Sequence, residues 1–210
     1  MELDHFFILT ESPAQHAAML SDAGLVEGTP NHHPGQGTSN RRFFFANSAL
    51  ELLYVRDAKE AEAGPGRDLR FQERISEPGS SPFGLVLNGS ADAAAPVSGW
   101  RYQPDYIERG RCFLIGDNSD LLAEPLCIYM PFEATLDSSQ SRSDKPFDTV
   151  SEVRIHAPVS APSKVLNAVS RLEGISILMD ADHLLEIVFN DGINGQLQDF
   201  RPALPLISRC

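Results

Sequence analysis

The sequence predicts an α+β protein made of repeated βαβββ units. Short apolar runs recur along the chain with turn residues between them, and helical spacing occurs once in each group of strands. Charged, Gly-, Ala- or Ser-rich breaks over 57–81 and 133–146 divide the chain into three such groups. The expected units are residues 1–56, 82–132 and 147–201.

Leu3 to Leu9 is short, aromatic and apolar, as a buried strand should be. Ser12 then offers a helix cap and Pro13 a first helical residue, Ala14, Ala17, Ala18, Met19 and Leu20 continue the helix, and Gly24 ends it. Leu25-Val26-Glu27 reads as a second strand. Asn31 to Asn40 is a polar loop carrying Gly35, Gly37 and Pro34, and Arg41–Phe45 and Leu50–Val55 complete the unit. Asp57 to Gly66 reads as a connecting loop, and Arg67 to Ile75 as a short helix with Leu69, Phe71 and Ile75 on one face. The second unit is read as strand Phe83–Leu87, a short helix over Ala91–Ser98, and strands Trp100–Tyr102, Cys112–Ile115 and Leu126–Met130. The third is read as strand Val150–His156, helical spacing over Ser160–Leu172, and strands Ile175–Leu178, Leu184–Phe189 and Gln196–Phe200.

Composition narrows the function. The net charge of −12, from 29 acidic and 17 basic side chains, repels a phosphate backbone, so nucleic acid is not an expected partner. No apolar run reaches the ~18 residues a membrane helix needs. The three cysteines lack C-x-x-C spacing, which argues against a disulfide framework or a structural zinc site, and a cytoplasmic protein is expected. No phosphate loop, dinucleotide fingerprint or nucleophile elbow occurs.

Leu3-Asp4-His5, the loop His33-Pro34-Gly35-Gln36-Gly37-Thr38-Ser39-Asn40, and Leu50-Glu51-Leu52-Leu53 resemble a glyoxalase-like domain family of the vicinal oxygen chelate superfamily. Gly99 to Pro104 and Glu124-Pro125-Leu126 resemble its second module more loosely. The resemblance implies paired βαβββ units whose mixed sheets curl around a shared cleft. It implies a small oxygenated, anionic ligand and a divalent metal (Zn, Mn, Fe or Ni). The implied chemistry is that of a lyase, isomerase or dioxygenase, and a homodimer is a frequent state of the superfamily. A metal-free protein that only binds or sequesters a small molecule is the alternative.

The metal would sit between His5 on the first strand and Glu51 on the last, with Glu51 also moving protons. The competing reading is a hydrogen-bonded structural His5 and a Glu51 lining an empty cavity. His33 is placed at the cavity mouth by the loop motif, or else lies in solvent beside His32. Asn40 and Arg42 share one face of their strand, with Arg41, Phe43 and Phe45 on the other. One arginine of Arg41-Arg42 therefore faces solvent, Arg42 is the candidate to hold an anionic group, and Asn40 on the same face is expected to contact the ligand as well. Trp100, Tyr102 and Tyr106 are either pocket wall or ordinary packing, with Tyr102 the chosen ligand contact. Cys112 and Cys127 are expected to be buried and inert. The second unit offers Gly84 opposite His5 and a Glu124 out of register with Glu51, which weakens a four-ligand centre. The third offers Val153 opposite His5, and Glu186 mirroring Glu51.

Overall fold

The computed structural model describes residues 2–89, 98–132 and 147–210. The helix expected over 91–98 lies, apart from Ser98, outside the described residues, as does the Ser-rich stretch 137–144.

The first unit comprises β1 (Glu2–Leu9), α1 (Pro13–Asp22), β2 (His32–His33), β3 (Thr38–Phe44) and β4 (Ala49–Val55). Helices α2 (Ala58–Ala63) and α3 (Phe71–Ser76) lead to β5 (Phe83–Asn88), β6 (Gly99–Tyr102), β7 (Phe113–Gly116) and β8 (Leu126–Met130). These eight strands form one mixed sheet in the order β2-β3-β4-β1-β5-β8-β7-β6. β1 and β5 pair antiparallel at its centre, and each has its unit's fourth strand parallel beside it. The two units are thus arranged alike about the β1–β5 pair, and residues from both line one cavity. The expected strand at Leu25–Glu27 reduces to a single bridge between Glu27 and Phe43.

A second sheet has the order β10-β9-β11-β13-β12, from β9 (Val150–Ala157), β10 (Ile175–Met179), β11 (Leu184–Phe189), β12 (Leu197–Asp199) and β13 (Leu206–Arg209). α4 (Lys164–Val169) crosses from β9 to the parallel β10, β9 and β11 are antiparallel, and β13 lies parallel to β11. Strand for strand, this repeats the directions of β4-β1-β5-β8-β7. The segment read as one third unit over 147–201 therefore runs on to Arg209 and reproduces the centre of the larger sheet. Glu186 accordingly lies on a central strand rather than a closing one, with Arg154, His156 and Arg209 around its carboxylate.

One face of each sheet meets in the main core. Phe6, Ile8, Leu50, Leu52, Leu85 and Leu87 from the large sheet, Ala17 and Leu20 from α1, and Val165, Leu166 and Val169 from α4 pack with Val153, Ile155, Leu185 and Ile187. Each Phe, Leu, Ile or Val side chain among them, fully buried, contributes about 1.5–3 kcal/mol. Glu124 joins the two layers. Its buried carboxylate accepts from the backbone N–H and the hydroxyl of Ser163, both at 2.7 Å, and from Asn118 at 3.0 Å. It stands before β8, where Ser163 caps α4, and is committed to holding that helix. Arg74 on α3 is equally deep. It donates to the carbonyls of Ser119, Leu122 and Glu124, and burial lowers its pKa to about 10.

Candidate functional site: a two-sided cavity

The opposite face of the large sheet encloses a cavity of about 260 Å³. A bulge in β1 prepares its polar wall. The β1–β5 register pairs Leu3 with Leu87 and then His5 with Val86, leaving Asp4 as an extra residue. Leu3 therefore packs towards the main core, whereas consecutive residues Asp4 and His5 both line the cavity. Asp4 Oδ1 is 2.6 Å from His5 Nδ1, and Asp4 Oδ2 accepts from Asn88 at 3.1 Å. The carboxylate fixes the ring and leaves Nε2 as the nitrogen available to a ligand.

Glu51 reaches the same cavity because β4 lies parallel to β1, with Glu51 beside Phe7. Arg42 lies directly across from Glu51 on β3 and also lines the cavity. The Arg42 Nε donates to the Thr29 carbonyl at 2.7 Å, and its guanidinium lies 4.8 Å from the centre of the Phe44 ring. Arg41 points the other way and forms a two-point ion pair with Glu27 at 2.6 and 2.7 Å. Glu51 is buried, and among the described residues its carboxylate makes no hydrogen bond or ion pair of its own. A carboxylate that opens into a cavity without a partner is available there to a cation or a donor.

His33 is brought in by a tight hairpin. Gly37 adopts a positive φ of 73°, and a Cβ on it would collide with the backbone of Asp57 and Ala61, so the turn lies flush against α2. His33 lines the cavity, while His32 is exposed and bonds Ser39. Behind His33 runs a chain of hydrogen bonds. Tyr106 and Tyr102 donate to Gln36 Oε1 at 2.9 and 3.3 Å, Gln36 Nε2 donates to Thr38 Oγ1 at 2.7 Å, and Thr38 Oγ1 is 2.9 Å from His33 Nδ1. Both phenols are donors here, so the amide orientation follows, and the Thr38 proton is left for Nδ1. Neutral His33 then carries its own proton on Nε2. Asn40 is buried but does not line the cavity. Its Oδ1 accepts from the Asn31 backbone at 2.7 Å and holds the loop instead.

The two imidazoles are driven apart. Burial lowers the pKa of His5, but Glu51 and the Asp4 hydrogen bond more than offset it, so the net shift is upward. Burial likewise lowers His33, and the Glu51 charge does not recover it against those of His5, Arg42 and His32. In an NMR titration, His5 is expected to titrate above the usual imidazole range and His33 below it. The ¹⁵N shifts of neutral His33 should report the Nε2–H form, and Thr38→Val should yield a mixture of the two forms. An unchanged His33 spectrum in that variant contradicts the proposed chain.

The remaining walls are apolar. Leu69 and Phe71, from the connection between the units, line the cavity with Phe7, Leu53, Val86, Phe113, Ile128 and Met130. In the β1–β5 ladder Gly84 sits across from Phe7, and a Cβ on it would overlap the Phe7 ring. The Phe7 ring therefore fills the space that a side chain from position 84 would need. Gly84→Ala is expected to cost about 1–3 kcal/mol in a denaturant titration. Adding Phe7→Ala should recover part of that loss, a coupling absent if the two positions are independent. Trp100 lies outside the cavity and donates to Ser119. Cys112, Cys127 and Cys210 are buried thiols without disulfides, and burial pushes Cys127 up to about 12.

The donor set does not fit a resident divalent metal. His5 and Glu51 offer two protein ligands, and among the described residues no group of three His, Cys, Asp or Glu side chains is placed to hold an ion. The parallel register β1–β4 places Phe7 beside Glu51, and β5–β8 places Val86 beside Ile128, so hydrocarbon stands where the second unit would supply its carboxylate.

Two four-stranded units paired through their first strands around one cavity make an α+β fold of the glyoxalase-like kind. Residues 3–97 match the model of the glyoxalase-like domain family. Among curated proteins none matches the chain. A hypothetical protein from Staphylococcus aureus has a similar crystal structure over 99% of this chain and 97% of its own, with a TM-score of 0.60 and 11% identity. A hypothetical protein from Bacillus halodurans aligns over 65% of this chain and 97% of its own, at a TM-score of 0.43 and 15% identity. Among the described residues, no helix is long and apolar enough to cross a membrane.

Proposed function

We propose that the protein binds a small oxygen-bearing anion in this cavity and that Glu51 moves a proton on it. The observation that carries this reading is the cross-strand pair of Arg42 and Glu51, a cation and an uncommitted carboxylate opening into one enclosed space. The terminal nitrogens of Arg42 would hold a carboxylate of the ligand. Glu51 would take a proton from the carbon beside a carbonyl group, and the electron pair would pass to the carbonyl oxygen. His5, when protonated, would donate to that oxygen, and return of the proton to an adjacent atom would complete an isomerisation without a co-reactant. Neutral His33 supplies a second donor at Nε2. The three thiols without disulfides fit a reducing, cytoplasmic setting.

Pyruvate and 2-oxobutanoate are suitable probes. Binding followed by calorimetry should weaken at least tenfold in Arg42→Gln. It should also weaken as pH rises through the His5 pKa, because the site then loses a positive charge. In D₂O the protein should speed exchange of the hydrogens at C3. Binding without exchange favours a sequestering protein, and binding unaffected by Arg42→Gln overturns the anion site.

A second reading rests on the Asp4–His5 pair, because a carboxylate-held imidazole is how many metal ligands are oriented. In this reading a divalent ion joins His5 and Glu51 only with donors brought by the ligand. Metal uptake would then strengthen with rising pH as the His5 proton leaves, the opposite sign to anion binding. Elemental analysis of untagged protein, with His5→Ala beside it, checks for an ion bound without ligand.

A further inference from the structure

The cavity is chemically divided along the boundary between its two units. Asp4, His5, Arg42 and Glu51 all come from β1, β3 and β4. The second unit contributes Val86, Phe113, Ile128 and Met130 from β5, β7 and β8. These are not scattered substitutions. The matching parallel registers make Phe7 and Glu51 the counterparts of Val86 and Ile128, and two residues further along the closing strands Leu53 corresponds to Met130. The counterpart of His5 is Gly84, whose place the Phe7 ring covers. The two phenols nearby, Tyr102 and Tyr106, both spend their protons on Gln36. A polar group laid along the second unit's wall would therefore meet hydrocarbon and lose its hydrogen bonds to water.

We infer that the cavity takes an amphipathic anion. Its oxygen-bearing head lies at Arg42, His5 and Glu51, and an unbranched or aromatic hydrocarbon tail lies along Val86, Phe113, Ile128 and Met130. The placement of the head rests on the anion-binding reading above, whereas the tail subsite rests on the apolar wall alone. A three-carbon acid would leave that wall uncovered. Each methylene added against it transfers hydrocarbon out of water and tightens binding by about three- to fourfold.

Calorimetry with the full chain and straight-chain 2-oxo acids of three to eight carbons tests this. The dissociation constant is expected to fall about three- to fourfold per methylene and then level off when the wall is covered. Ile128→Asn should flatten the series, while Arg42→Gln should weaken every member by a common factor and keep the slope. Met130→Gln serves the same purpose as Ile128→Asn should that variant fail to fold, with thermal melts as the check. A flat series in the native protein, short acids binding as well as long ones, overturns the tail subsite and leaves the anion site standing. Tight, length-dependent binding of the corresponding uncharged alcohols, with the acids excluded, overturns the anion site and leaves the tail. Failure of acids and alcohols alike overturns both.

Discussion

Arg74→Ala is expected to destabilise the protein by about 3–5 kcal/mol, measured by denaturant unfolding. The guanidinium is 2% exposed and donates to three carbonyl oxygens on the stretch that leads into β8. Removing it strands those acceptors away from water and opens a void at once, and each effect alone costs on the order of 1–3 kcal/mol. Arg74→Lys should recover only part of the loss, since one ammonium cannot span three carbonyls set by a planar fork. The damage should spread to the cavity, because Ile128 and Met130 hang from β8. A variant with unchanged stability would mean that solvent reaches those carbonyls.

The second large effect concerns Glu51. Glu51→Gln keeps the shape of the side chain but removes its charge and its ability to accept a proton. Hydrogen exchange at C3 of 2-oxobutanoate should fall by about 10²–10⁴-fold. Binding should hold or tighten, because a negative charge beside the anion has gone. Glu51→Asp should retain part of the exchange, since the base survives but is drawn back by a methylene. Parallel loss of binding and exchange in Glu51→Gln would instead give Glu51 a part in shaping the cavity. The same substitution should shift His5 back towards the ordinary imidazole pKa, because Glu51 is the largest influence raising it. That shift can be followed without any ligand.

Much of this site could be read from residue types. The apolar β1, the Ser12–Pro13 start of α1 and the closing strand at Leu50 place His5 and Glu51 on neighbouring strands. The turn residues Pro34, Gly35 and Gly37 locate the hairpin that carries His33. What escaped the sequence depends on partners far along the chain. The bulge at Asp4 is defined only against β5, so strict alternation misplaces Asp4. Asn40 shares the Arg42 face, but its short amide is captured by Asn31 before it reaches the cavity. Leu69 and Phe71 sit in a charged, glycine-containing connection, and their burial depends on the sheet against which that connection folds. Gln36 is legible only as a loop polar residue until Tyr102 and Tyr106, some seventy positions away, close on it. Glu124 resembles a candidate ligand by sequence, yet Ser163 of the following layer claims its carboxylate.

The extra residue in β1 acts as a phase slip in an otherwise two-beat pattern. Upstream of it the strand sends Leu3 inward to hydrocarbon, and downstream it does the same with Phe6. An unbroken strand would divide Asp4 and His5 between opposite surfaces and could not set an acid and an imidazole shoulder to shoulder. Excising Asp4 would put the strand back in step with Leu3 still turned inward, and would leave the imidazole without its carboxylate.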